Sequence, residues 1–161
     1  MEWAGTKTAA VVAVAVVSFA AGCGGGGGGG DRLSKSAYEQ KLKAEGSQLK
    51  AAFSSSDIQT SSNLEDLTTK LTSLQKELDQ SASDLEDLNP PKDAEADNAK
   101  LADALHKAAD KFGELKKAAR AKDQQKLQQL TQEVGTILQE GKAASDDLKA
   151  KGYDIGTLGE G

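Results

Sequence analysis

One leucine seam constrains this chain more than any other feature. Leu64, Leu67, Leu71, Leu74, Leu78, Leu85 and Leu88 recur at spacings of three and four, and Ser81 is the only break in the pattern. A β-strand alternates its faces every second residue and cannot gather such a set on one side. An α-helix can, and the stripe is narrow enough to seat against a partner helix at a shallow crossing angle. Ser62 and Glu65 form a capping-box pattern at its start. Asn89-Pro90-Pro91 ends it, because the residue before a proline avoids helical angles.

The remaining segments follow the same rule. A stripe of Leu101, Leu105, Ala108, Phe112, Leu115 and Ala119 predicts a helix from about Asp93, with Asp93, Glu95 and Asp97 at its positive end. Asp123 can cap the next helix, whose stripe is Leu127, Leu130, Val134, Ile137, Leu138, Gly141, Ala144 and Leu148. Gly152 suits a left-handed cap after it, with Tyr153 and Ile155 folding back. A first, shorter helix over 34–53 carries Tyr38, Leu42, Leu49 and Phe53 on one side. The expected fold is all-α. It is an antiparallel up-down helical bundle of three long helices and one shorter N-terminal helix, occupying 33–155, with 156–161 as a C-terminal tail. A coiled-coil oligomer satisfies the same seams.

The first thirty residues read as an address rather than a fold. Positions 9–21 are AAVVAVAVVSFAA, an apolar run of 13 residues. A bilayer-spanning helix needs about 20. The run instead has the length of the hydrophobic core of a secretory signal, and Lys7 precedes it. It closes on Ala20-Ala21-Gly22-Cys23, followed by seven glycines, Gly24–Gly30. Ala20-Ala21-Gly22-Cys23 resembles the lipobox of bacterial lipoproteins, with Ala20 where a leucine is commoner. The resemblance implies a signal peptide over 1–22, cleavage before Cys23 and diacylglycerol on its thiol. Residues 23–32 then form a lipidated, glycine-rich tether spanning roughly 15 Å. A phosphate-binding loop is excluded, because Asp31-Arg32 stands where Lys-Ser/Thr would be needed. The body is similar to small uncharacterised helical lipoproteins of high-GC Gram-positive bacteria that carry a mid-chain Pro-Pro turn. That likeness implies the extracytoplasmic face of the cell membrane and no mechanism.

Charge and composition narrow the function. With 20 Lys and Arg against 25 Asp and Glu, the net charge of −5 disfavours nucleic acid as a partner. Cys23 is the sole cysteine, so no internal disulfide forms. His106 is the sole histidine, and Asp103 stands where the Glu of a Glu-x-x-His di-iron motif would be. It lies off the apolar seam and is expected to be solvated. No metal, no cofactor and no enzymatic activity are expected: zinc lacks ligands, and no nucleophile elbow or EF-hand loop occurs.

Two constellations remain as candidate sites. In an up-down bundle the tether, the Pro90-Pro91 turn and the C-terminus share one end, and the turns at 54–62 and 119–123 share the other. The first end collects Asp84, Glu86, Asp87, Asp93, Glu95, Asp97, Asp146 and Asp147. The far end collects Lys116, Lys117, Arg120, Lys122 and Lys126, a basic tip suited to an envelope protein or an anionic polymer. A second set, Tyr38, Ser81, Ala104, Gly141 and Ala144, falls at one height and is thin in side-chain volume. It forms either a close helix contact, with the Tyr38 hydroxyl aimed at Ser81, or a pocket. The leading expectation is a non-enzymatic, membrane-anchored binding or spacer module. The alternative is a small-ligand or lipid carrier using the thin layer.

Overall fold

The computed structural model describes residues 32–158. The expected signal segment with Ala20, Ala21 and Gly22, the expected lipid site Cys23, the glycine run and residues 159–161 lie outside that range. The described chain is helical, with no strand: α1 is Lys35–Ser56, α2 Leu64–Glu86, α3 Glu95–Ala121 and α4 Gln124–Ala150. A short 3-10 turn, Ile58–Thr60, joins α1 to α2.

Local chemistry sets each boundary. Ser34 caps α1 by accepting the Ala37 N–H. The sequence predicts a shorter first helix, yet α1 has 22 residues against 23 in α2. Its serine-rich end stays helical because the Ser55 and Ser56 hydroxyls return to the Ala52 and Phe53 carbonyls. The cap of α2 is displaced by one residue from the expected Ser62–Glu65 pair. Asn63 accepts from the Asp66 N–H, and the Asp66 carboxylate reaches back to the Ser62 N–H. α3 begins at Glu95, two residues after the expected start, because Pro91 closes a turn onto the Ala94 N–H first. Asp123 caps α4 through the Lys126 N–H. Gly152, at φ 79°, ends α4 while the Tyr153 N–H returns to the Leu148 carbonyl.

α3 is the hub. Its backbone runs close to both α2 and α4, whereas α1 approaches α2 alone. Along α2 and α3 the paired residues run in opposite order: Leu85 with Asn98, Asp79 with His106, Thr72 with Lys116. Along α3 and α4 a ladder of ion pairs does the same: Lys100–Asp147, Lys107–Glu140 and Lys111–Glu133. Most of these pairs are exposed and contribute at most about 1 kcal/mol each.

The core is the predicted seam with trimmed ends. Leu71, Leu74, Leu78 and Leu85 are buried with Leu42, Leu101, Phe112, Ile137 and Leu148. Leu64 and Leu138 are left exposed, so the stripes of α2 and α4 are narrower than their sequences suggest. Leu158 of the expected tail joins this core beside Tyr153 and Ile155, and residues 153–158 lie along α1 as a strap. Asp154 accepts from Lys43 and its N–H meets Glu39. The strap crosses α1 where a glycine permits it: a Cβ on Gly46 would stand 2.7 Å from the Leu158 nitrogen. The strap puts apolar side chains beside a helix that otherwise has one close helical neighbour, which is why residues 156–158 belong to the body.

Candidate functional site

The most heavily cross-linked region is the end that carries the Pro90-Pro91 turn. The chain enters there. The Leu33 N–H donates to the Asn89 carbonyl, and Arg32 donates to the Pro90 carbonyl and pairs with Glu95 at 2.9 Å. Just inside, the Tyr38 hydroxyl donates to Asn98 Oδ1 at 3.0 Å, and Asn98 Nδ2 donates to the Leu85 carbonyl at 2.7 Å. Tyr38 and Asn98 are buried, so each of these polar groups is matched where water cannot replace its partner. Tyr153 meets the Tyr38 ring edge-on at 5.6 Å, donates to Asp93 and lies beneath the Lys35 ammonium.

Asp97 stands beside this network. It is 2% exposed and is held by Lys151 and Lys100, while Lys151 also donates to the Asp93 carbonyl. Burial pushes its carboxyl up, but the two lysines more than offset that and hold it below the usual carboxylate range. Burial drives the Tyr38 phenol well above its ordinary value, with Tyr153 and Asp97 adding to the shift. The Tyr153 phenol is pushed up to about 12, first by burial and then by its bond to Asp93. Both tyrosines therefore stay protonated at neutral pH and act as hydrogen-bond donors, not as bases.

This geometry corrects one expectation and refines two. The Tyr38 hydroxyl does not face Ser81; it goes to Asn98, whose amide accepts from Tyr38 and donates to Leu85 at once. Ser81 instead neighbours Glu45 of α1, a buried carboxyl pushed up by desolvation, with the Ser81 hydroxyl opposing, Asp84 adding and Lys41 opposing. Half of the acidic crowd at this end is paired: Glu95 with Arg32, Asp97 with Lys100 and Lys151, Asp147 with Lys100, and Asp146 with Lys142. His106 is part-exposed, and its two ring nitrogens each lie 3.5 Å from a carboxylate, Asp79 and Glu86.

The thin layer is packed where it can be measured. Ser81, Ala104 and Ala144 are buried, and a Cβ on Gly141 would meet the Ala104 Cβ at 3.4 Å, ordinary van der Waals contact. Small residues here let α3 and α4 approach closely. An open groove of about 530 Å³ lies elsewhere, between the far halves of α1 and α2, lined by Ala51, Ala52, Ser55, Thr69, Ser73 and Leu74.

At the far end the basic residues divide. Lys116 is drawn across to Thr72 and Gln75 of α2, and Lys126 sits 3.8 Å from Glu114. Lys117, Arg120 and Lys122 are exposed and make no ion pair among the described residues. Lys122 ends α3 at φ 56°, a left-handed position that favours glycine.

Sequence reasoning passed over Asn98 and Glu45, and placed Asp97 at the helix dipole with no sign of its burial. Asn98 had a readable signal, because it extends the Leu101–Leu105–Ala108–Phe112 stripe back by one step as a polar residue on an apolar face. Asp97 had none, since an acid in a first helical turn is normally exposed at the helix dipole. Among the described residues no three His, Cys, Asp or Glu side chains are grouped to hold a metal ion, and no helix is long and apolar enough to cross a membrane. Comparison with protein-family models, curated proteins and solved structures found no match to this chain.

Proposed function

We propose that this chain is a lipoprotein, anchored through Cys23 on the extracytoplasmic face of the cell membrane. Its body serves as a non-enzymatic spacer and binding module of the envelope. In this reading the four helices form an up-down antiparallel bundle. The glycine tether, the Pro90-Pro91 turn and the end of α4 lie toward the membrane, and the α1–α2 and α3–α4 turns lie away from it.

The observation that supports it best is the docking of the chain's entry point. Arg32 and Leu33 are bonded to Asn89 and Pro90, beside the Tyr38–Asn98–Leu85 network and the Lys151–Asp97 pair. A bundle held by a tether feels any pull on the tether at this point, and this is where its polar cross-links concentrate. The groups buried there are donors and acceptors already matched to one another, which suits a base more than a reactive centre. Two or more acyl chains on Cys23 would anchor the body stably, whereas one alone would not.

The test is the intact mass of the protein from the membrane fraction, beside Cys23→Ala. Residues 23–161 plus acyl chains, with the variant shifted to the soluble fraction, is the expected result. A full-length mass unchanged by the substitution would overturn the reading.

A further inference from the structure

We propose that the turn between α3 and α4 is a docking surface for a flexible, non-nucleic-acid phosphate polymer, because a local group of cations suffices for such a chain although the net charge of −5 disfavours a nucleic acid lying along the whole body. The proposal deepens the reading of the body as an outward-facing binding module, and it rests on that reading only for the direction in which the turn faces.

Along the α3–α4 ladder nearly every lysine has a carboxylate: Lys100, Lys107, Lys111, Lys142 and Lys151 are all paired. The pattern stops at the turn. Lys117, Arg120 and Lys122 follow one another around the end of α3, exposed and without an ion pair among the described residues. The other lysines of the helices without an ion pair are scattered: Lys35, Lys41 and Lys50 on α1, Lys76 on α2, Lys149 on α4, with Lys116 hydrogen-bonded to α2. The nearby Asp123 carboxylate caps α4 and makes no ion pair with the three cations.

Backbone conformation at the turn gives a second, separate observation. Lys122 has φ 56°, where a glycine would sit without steric cost, as Gly152 does at the end of α4. A long cationic side chain is therefore kept at a position that local stability would give to glycine.

Shape selects the partner. The turn is a helix end and its three cations are joined by no aromatic side chain. A folded protein partner needs buried aromatic or apolar anchors to hold it. A flexible chain of regularly spaced anions needs only cations at comparable intervals, and each contact releases a condensed counterion. Lys116, on hydrogen bonds to Thr72 and Gln75, and Lys126, in a loose 3.8 Å ion pair with Glu114, flank the turn on contacts that a polymer phosphate can displace.

The experiment uses the full-length protein in neutral detergent micelles, with long-chain inorganic polyphosphate as the probe. Binding is followed by fluorescence anisotropy across a salt series. Two triple variants of equal charge change are compared: Lys117→Gln/Arg120→Gln/Lys122→Gln at the turn, and Lys41→Gln/Lys76→Gln/Lys149→Gln away from it. We expect wild-type binding at about 50 mM salt, with a log–log salt slope of about −2 to −3 for three phosphate contacts. The turn variant should bind about tenfold or more weakly and lose most of that slope, and the scattered variant should change less than about twofold. No wild-type binding at low salt would overturn the proposal. So would equal losses in the two variants, or binding to anionic lipid vesicles without binding to the polymer. A chain that is uncleaved and soluble but binds the polymer would sink the anchor reading alone. An anchored chain that ignores the polymer would sink this one alone.

Discussion

The two ends of the bundle are built by opposite rules. At the proline end the left-handed positions are glycines, Gly152 and Gly156, and the buried polar side chains Tyr38, Asn98 and Asp97 all have partners. At the far end the left-handed positions are Asp57 and Lys122, and Phe53 and Leu64 are each 40% exposed. The first end spends sequence on holding itself together. The second keeps charged residues in strained turns and leaves apolar side chains uncovered. Backbone strain of this kind persists only where the surroundings hold it in place. Matched buried polar groups and strained, uncovered turns are thus separated along the bundle axis, with α3 running between them.

Breaking the base should have the largest effect. Asn98→Ala removes the acceptor of Tyr38 and the donor to Leu85 and leaves both groups buried without a partner, so a loss of about 3 kcal/mol is expected in urea unfolding at unchanged m-value. A loss under about 1 kcal/mol would mean that the network is incidental.

Lys151→Met comes next. It removes one of the two cations of Asp97, and because Lys151 is part-exposed and Lys100 remains, the expected loss is about 2 kcal/mol, not the larger figure for a fully buried pair. The sign of its pH dependence follows from Asp97. Its folded-state carboxyl lies below the usual range, so the stability it contributes is present above the unfolded value and is lost as pH falls through the folded one. Without Lys151 only Lys100 opposes the burial of Asp97, its carboxyl rises, and the difference in stability between wild type and variant should shrink as the pH drops below about 4. A constant difference from pH 7 down to about 2 would count against this assignment.

The strap offers a smaller effect. Gly46→Ala places a methyl group against the Leu158 backbone, and a loss of about 1–2 kcal/mol is expected, with the Tyr153 ring freed from Tyr38 in aromatic NMR shifts. Unchanged stability and shifts would show that the strap yields without cost. The smallest effect has the opposite sign. Lys122→Gly should raise stability by about 1 kcal/mol by relieving the left-handed backbone, while weakening polyanion binding. A variant that lost stability would erase the contrast between the ends.

Much of the helical organisation was legible in the sequence, because periodicity and caps act locally. The leucine seam, the proline break, Asp123 and Gly152 each announce a boundary within a few residues. The candidate sites were less legible. Whether Tyr38 turns to Ser81 or Asn98 depends on how far α1 is rotated against α3, which no local pattern encodes. Residues 156–161 were read as a tail because Leu158 alone is too little to form a period. The acids of the Pro90-Pro91 end were read from formal charge, and Lys100 and Lys151 approach Asp97 only after α3 and α4 have packed. The lone cations of the far turn were visible from the start, but their lack of partners was not.

Native-state hydrogen exchange tests the separation of the two ends most directly. The account predicts that the amides of Leu85, Leu101 and Ala102, around the Asn98 network, exchange only through global unfolding. Those in the first turn of α2 and the last turn of α3 should exchange about a hundredfold faster or more, through local opening. Uniform protection along α3, or slower exchange at the far turns than around Asn98, would contradict it.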